Sequence, residues 1–599
     1  MKKIIFTLAA ISLASFSFAQ DFGFGDDMGG SDDFGSSGFE ESASPAVTIS
    51  GEVGAEARAW IGIPAEANEE NLKHGYTHNT KGYDGAYDLS KTEMDAGAYA
   101  NLELNYAGDY TDANLKLKLD STTLTEHPED VIDEVYANGS FKEGKFQLKA
   151  GKMKEVWGKG DKVHVLDNFN ANDYSDFIFP DYIDRRIGEV MFKATANLSW
   201  DYNLKLEGIF TPWMTADRFA SDGFLKPAAQ KNLENVVKGV LAEQAAATYA
   251  SGNASAIAKG VMELSDFSTD KLYEDNTKSL KYAQGGLRLT GTLAGIDWGA
   301  SYYYGHYKQP SANLENYAVY SKKAAIKQGA FAKYKAGVAA KLRASPLGAA
   351  FTGMSDDQVY QYAFANQATL GSQIFNEDTV NGAIDGELSK NGYTLANALP
   401  ALAYDQVQTF GIEAAFVLWK LNTRWEAAYN LTEDVAGDNP WIKNNSVAWV
   451  AGFDIDLPIH NLNLNVQETG SYILKNNKIE GNTIKVGELM GTPIEIPIET
   501  ADVNYNSDGK YISNKLIVLL SDKWLNEKLI TEVQGIYCIE TKDYMVAPKI
   551  EYNVSEGLTF ALRGVYLYSD NENGEFYNFT ADSENHDKAF LQLTAKYQF

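Results

Sequence analysis

From Val47 onward the chain alternates. Val47, Ile49, Val53, Ala55, Ala57, Ala59 and Ile61 fall on one side of an extended strand, and Thr48, Ser50, Glu52, Glu56, Arg58 and Trp60 fall on the other. The pattern holds for fifteen residues, whereas a strand in a soluble domain usually has about five or six and a tilted strand crossing a bilayer needs about ten. The same alternation recurs at 95–106, 113–120, 131–139, 144–153, 187–200, 202–211, 282–293, 295–306, 406–419, 420–431, 446–457, 460–472, 513–521, 529–540, 544–553, 557–568 and 588–599. That makes eighteen predicted strands, within a range of sixteen to eighteen.

The connections carry a second regularity. Long segments follow the odd-numbered strands, at 62–94, 154–186, 212–281, 307–405, 432–445, 473–512 and 569–587, while compact links such as GDYTD, FKEG, LPIHN and NVSEG follow the even-numbered ones. Two odd-numbered links, 121–130 and 541–543, are short without breaking the parity. A transmembrane barrel has this asymmetry, with long loops outside and short turns in the periplasm, and a soluble β protein has no reason for it. The expected fold is therefore all-β, a transmembrane antiparallel β-barrel of about 18 strands over residues 46–599. Two stretches break the β pattern, 225–264 and 313–375, and their Ala, Lys and Glu content predicts amphipathic helix. The loops 212–281 and 307–405 are thus expected to be partly helical, as a cap that either gates the mouth or decorates it.

The chain ends in AFLQLTAKYQF, with Leu591, Leu593, Ala595, Tyr597 and Phe599 on one face and Gln592, Thr594, Lys596 and Gln598 on the other. This segment resembles the closing strand of bacterial outer-membrane barrels. The resemblance implies that Phe599 marks the periplasmic edge and is read by the barrel-assembly machinery. Tyr106, Tyr304, Tyr429, Tyr552 and Tyr568 near strand ends suit interfacial girdles, although β propensity alone also favours Tyr and Phe in strands.

At the other end, Lys2 and Lys3 precede an apolar run from Ile4 to Leu13 and the small residues Ser17 and Ala19, which reads as a signal peptide over 1–19. The run is too short and too interrupted for a membrane anchor. Residues 20–45 hold six glycines, seven acids, four phenylalanines and no Lys or Arg, so a disordered acidic periplasmic tail is expected there in preference to a binding motif. The expected location is the cell outer membrane, with its lipid as a partner. The single cysteine, Cys538, excludes an internal disulfide framework and a Cys-based metal knuckle. A net charge of -29 argues against nucleic acid as a partner, since a basic footprint is missing.

The most distinctive stretch runs from Glu134 to Gly188. It contains Glu134 and Tyr136, then Gly151 and Lys152, then Trp157, Gly158 and Lys159, followed by Asp161, Asp167, Asn170 and Asp173, and finally Asp184 and Arg186. On these residues it resembles a family of porin-like outer-membrane barrels, largely of unassigned function. The pattern covers about 55 of the 599 residues. Ala171 stands where that family commonly has Pro after the Asn, so the local turn is expected to differ. The resemblance implies a barrel and a passive or selective channel, and names no solute.

In this topology the stretch contains the third outer loop, which in general porins often folds inward. Lys154, Lys159, Lys162, Arg185 and Arg186 face Asp161, Asp167, Asp181 and Asp184, a set of opposed charges that could form a transverse field at a channel constriction. The same residues would equally suit a brace that fastens the loop to the wall. The alternation turns Glu52, Glu56, Arg58, Glu103, Lys116, Lys193, Arg424, Glu426 and Arg563 toward the lumen, a wall of mixed sign that implies a wet pore. No catalytic constellation emerges, because the seven histidines are scattered and His74 and His78, although at helical metal-ligand spacing, lie in a Gly-rich loop. No enzyme activity, cofactor or metal is expected. The function expected is diffusion of ions and small hydrophilic solutes through a channel, as a monomer or a homo-oligomer. The alternative is a surface adhesin or structural barrel whose long loops bind partners.

Overall fold

The computed structural model describes residues 46–61, 94–220, 225, 277–312, 314–366, 377–391, 402–438, 442–476, 483–489, 492–497, 511–571, 574–579 and 589–599. The expected signal peptide, the acidic tail, the helix expected at 225–264 apart from its first residue, and His74 and His78 lie outside the described residues.

Eighteen antiparallel strands form one closed sheet. In chain order they are β1 (Ala46–Ile61), β2 (Met94–Ala107), β3 (Thr111–Leu119), β4 (Ile132–Phe141), β5 (Phe146–Met153), β6 (Glu189–Ser199), β7 (Leu204–Thr211), β8 (Gln284–Leu293) and β9 (Ile296–His306). They continue as β10 (Gln406–Leu418), β11 (Leu421–Thr432), β12 (Ser446–Asp456), β13 (Asn463–Ile473), β14 (Ile512–Trp524), β15 (Leu529–Cys538), β16 (Tyr544–Ser555), β17 (Leu558–Tyr568) and β18 (Ala589–Gln598). Each strand pairs with its neighbours in sequence, and β18 closes on β1 with Ala55 opposite Ala595 and Arg58 opposite Gln592. Gly51 and Phe599 exchange both backbone hydrogen bonds at 2.9 Å, so the ladder continues to the last residue. Closure leaves no sheet edge, which in lipid would expose unpaired peptide groups.

The register places the apolar rows outward. Val47, Ile49, Leu591, Leu593, Ile412 and Ile550 are exposed although large and apolar, as befits side chains that face hydrocarbon. Exposed aromatics gather near the strand ends, with Tyr304, Phe410, Tyr429, Tyr472, Tyr537 and Tyr566 toward the long loops and Tyr110, Phe141, Trp200, Trp419, Trp524 and Tyr597 toward the short turns. The outward Glu468 departs from the apolar rule, and its carboxylate accepts from Trp449 Nε1 at 2.9 Å.

The short turns demand unusual backbone. Leu293 pairs with Ile296 across two residues, Ala294 and Gly295, which have φ 53° and 79°. Positive φ at both central positions is the type I′ geometry that matches strand twist in a two-residue hairpin.

Among the described residues of the segment 314–390 run the helices α1 (Leu314–Arg343), α2 (Asp356–Ala365) and α3 (Glu377–Lys390). They share a buried cluster that includes Phe331, Val338 and Leu342 of α1, Val359 and Tyr360 of α2, and Ile384 and Leu388 of α3. The sequence left 473–512 as plain loop; it carries a hairpin of Thr483–Leu489 and Thr492–Pro497. Its apolar residues alternate over only six or seven positions, too short a run to register beside the wall strands.

Candidate functional site

The third outer loop, 154–188, lies within the barrel because the wall supplies it with partners on opposite sides. Near its start Trp157 is buried edge-on against Phe169 at 5.0 Å, in a cluster with Met153, Met191, Ile209, Tyr303 and Val407. Gly286 on β8 makes room, since a Cβ there would lie 2.8 Å from Trp157 and 2.9 Å from Phe169. Glu426 on β11 then gathers the loop backbone, accepting from Gly160 N at 2.6 Å and Val165 N at 2.8 Å, with His164 Nδ1 at 3.0 Å. Gly158 has φ 119°, and a Cβ on it would lie 2.2 Å from Glu426 Oε1. Only glycine fits that approach. Burial opposes charge on His164, but the Glu426 carboxylate outweighs it and holds the imidazole above its ordinary pKa.

A buried knot ties the two ends of the loop together. Asn170 Nδ2 donates to Met153 O at 3.0 Å and Ile187 O at 2.8 Å, while its Oδ1 accepts from Glu155 N at 3.0 Å. Arg186 donates to Asp167 at 2.7 Å, to Glu155 O and Tyr182 Oη at 3.0 Å, and to Asn170 Oδ1 at 3.1 Å. Tyr182 Oη also donates to Asp167. Ala171, the departure from the family pattern, is buried and accepts from Ile187 N at 2.9 Å.

The far end of the loop reaches the other side of the barrel. Arg58 on β1 makes a two-pronged pair with Asp176 at 2.6 and 2.7 Å, and its guanidinium lies 4.6 Å from the Phe590 ring centroid. Phe177 and Phe179 bury themselves among Trp60, Phe590, Met545, Val565, Leu567, Phe576 and Phe579. Arg563 on β17 donates to Phe179 O at 2.6 Å. The loop return is held by the segment after β7, where Arg218 bridges Asp130 and Asp173, each at 2.7 Å. Beside it Asp217 accepts from Asn172 N at 2.8 Å, and burial pushes its carboxyl up to about 6. Burial likewise pushes the Lys308 ammonium down to about 8.

This packing divides the lumen. A cavity of about 2370 Å³ is lined by β1 to β4, by β12 to β18 and by the loop itself, and no residue of β5 to β11 reaches it. The cavity is therefore eccentric, with the third outer loop as one wall.

The residues singled out from sequence separate into two groups. Lys154 pairs with Asp133 at 2.8 Å, Asp161 with Arg424 at 2.8 Å, and Arg186 with Asp167, all of them fastening the loop. Glu426 belongs with them, as does Lys193, which sits between Glu155 at 2.8 Å and Glu207 at 3.1 Å. Arg424 also reaches Asp454 at 2.7 Å. Lys154, Asp161, Asp167 and Arg186 line the cavity as well, and the second group lines it without an ion pair among the described residues: Asp181, Asp184, Arg185 and Lys162 from the loop, and Arg563 from the wall. Glu52, Glu56, Arg58 and Lys116 also line it. Glu103 stands apart from that surface and accepts from Asn114 at 2.6 Å and Asn105 at 3.0 Å, while Lys159 neither lines the cavity nor has a partner among the described residues. Burial raises the Asp184 carboxyl above its ordinary pKa, with Asp181 adding to the rise.

Sequence reasoning missed His164 and Asp176 as anchors. Both depend on partners more than 100 residues away, Glu426 and Arg58, which no local pattern announces.

No protein-family model matches the chain, and no curated protein matches it. Among solved structures, it aligns with Pseudomonas aeruginosa OpdQ at 9% identity, over 93% of this chain and 97% of that one, with a TM-score of 0.38. It aligns with Acinetobacter baumannii OccAB3 at 9% identity and a TM-score of 0.37, over 92% and 99% of the two chains. For a mutant Rh. blastica porin the values are 7% and 0.29, over 92% and 100%. At these scores the likeness decides nothing about residues or solutes.

Proposed function

We propose that the chain is an integral outer-membrane channel through which ions and small hydrophilic solutes diffuse. The observation that carries this reading is a closed barrel with an apolar exterior and a charged cavity of about 2370 Å³ behind it. In this reading the constriction is the space between the loop carboxylates Asp181 and Asp184 and the wall cations Arg563 and Lys116, with Arg185 and Lys162 adding charge from the loop. The buried pairs of Lys154, Asp161, Asp167 and Arg186, at the edge of the same cavity, hold that loop in place. Insertion uses the closing strand through Phe599 and the barrel-assembly machinery.

Purified protein in a planar bilayer tests the channel. Discrete conductance steps are expected, with single-channel current that falls on adding sugars small enough to enter. Folded protein that stays electrically silent while its outer loops bind a ligand would favour the adhesin alternative.

A further inference from the structure

The cavity wall is not polar throughout. Inward positions on β1, β16, β17 and β18 carry Arg58, Lys549, Arg563 and Lys596, as a water-filled lumen leads one to expect. On β14 and β15 the inward positions include the aliphatic Ile517, Leu519 and Ile536, set between Lys515 on one strand and Glu532 and Gln534 on the other. Ile517 stands directly opposite Ile536, and Ile536 opposite Met545, so the aliphatic groups form a lateral row across three strands. Met545 and Ala547 at the end of this row are covered by the loop tip with Phe177 and Phe179, while Leu519 and Ile536 are only half-buried and remain open to the passage. Ile178 and Pro180 of the loop also line it.

Next to this strip, charges of opposite sign remain unmatched. Arg563 makes a single hydrogen bond, to Phe179 O, and stands opposite Lys549 and Gln592 on its neighbouring strands. Asp181 is exposed, lies within electrostatic reach of Arg563 and has no ion pair among the described residues. The other carboxylates near Arg563 are engaged, Asp176 by Arg58 and Glu532 by Lys549 at 3.7 Å.

We propose that the aliphatic strip of Ile517, Leu519 and Ile536, running beside the unmatched Asp181 and Arg563, makes the passage favour small zwitterions that carry an apolar side group. The ammonium of such a solute turns to Asp181, its carboxylate to the fork of Arg563, and its apolar flank to the strip. A wholly hydrophilic solute of the same size gains the first two contacts and leaves the strip wetted. The inference rests on the channel reading given above.

Liposomes containing the full chain test it by swelling in isosmotic leucine and in isosmotic asparagine, two zwitterions of similar size. Leucine is expected to enter faster by about threefold, the scale of partial burial of a few methylene groups. Leu519→Asn with Ile536→Asn should bring the two rates together, while Ile536→Val keeps the preference. Arg563→Gln should slow both zwitterions more than it slows a neutral sugar. Equal entry of leucine and asparagine into wild-type liposomes that also conduct would overturn the inference and leave the channel intact. A Leu519→Asn, Ile536→Asn double variant that conducts normally yet keeps the leucine preference would overturn it too. Wild-type liposomes that admit no solute and carry no current would remove the channel reading itself.

Discussion

Arg185 and Arg186 are adjacent in sequence but belong to different parts of the site, and substituting each alone should separate brace from passage. The Arg186 side chain is fully buried and that of Asp167 is 1% exposed, so Arg186→Ala strands a carboxylate that has lost its cation. It also leaves Glu155 O and Asn170 Oδ1 without the guanidinium that donates to them. Breaking a buried pair in this way costs about 3–5 kcal/mol. The strands keep their ladders, so the cost should appear as a loosened loop inside an intact barrel: noisy single-channel current and faster protease cleavage within 154–188. Arg185 instead lies 5.5 Å from the Tyr174 ring centroid and has no ion pair among the described residues. Arg185→Ala forfeits about 0.5–1 kcal/mol of cation–π contact. It also removes a positive charge from the cavity, so the reversal potential in a tenfold KCl gradient should move toward cation preference while the current stays quiet. A quiet Arg186→Ala channel with altered selectivity, together with an Arg185→Ala channel of unchanged selectivity, would refute this division of roles.

The junction of Asp217 with Asn172 should respond to pH. A carboxyl raised to about 6 contributes stability that is full below its ordinary value and lost as pH rises through about 6, to the extent of at most about 3 kcal/mol. The His164–Glu426 pair adds a dependence of the same sign, present below the ordinary histidine value and lost as pH passes the raised one. Protection of the third outer loop, taken as its hydrogen-exchange rate relative to the free-amide rate at the same pH, should therefore be greater at pH 5 than at pH 8, and Asp217→Asn should shrink that difference; an undiminished difference would remove Asp217 from the account. Gly158→Ala should push the loop off Glu426, because the new methyl would meet the carboxylate in a backbone conformation that alanine resists. A lowered temperature for loss of the compact gel band would report it, and an unchanged temperature would contradict the packing. Deleting Phe599, which bonds Gly51 through both backbone groups, should reduce the inserted yield far more than the conductance of the molecules that do insert.

The wall was legible because a lipid-facing barrel writes its two faces into alternate residues. The eighteen strands read from the alternation match those of the barrel to within a few residues, and Leu591 and Leu593 point outward as the pattern requires. The charged character of the third outer loop was also legible, since Lys154 through Arg186 is dense in ions. Which ion serves which purpose was not. Arg185 and Arg186 look alike in sequence, and only the position of Asn170, drawn in by Met153 O and Ile187 O, turns one inward to the knot. Glu426 read as a lumen residue by parity, and it does point inward, but a loop some 260 residues earlier in the chain covers it. Parity gives the side of the wall; it carries no information about what packs there.

The eccentric passage can be probed directly at Thr594, an inward residue on β18 that lines the cavity. Current through single Thr594→Cys channels, with Cys538 replaced by Ala, would be followed in a planar bilayer while a charged thiol-reactive sulfonate is added. The account calls for discrete steps that shrink on modification, and for none of that effect with a cysteine at Tyr303, which lies on the sealed side among Trp157 and Phe169. Steps that ignore the reagent at Thr594, or no steps from folded protein, would contradict it.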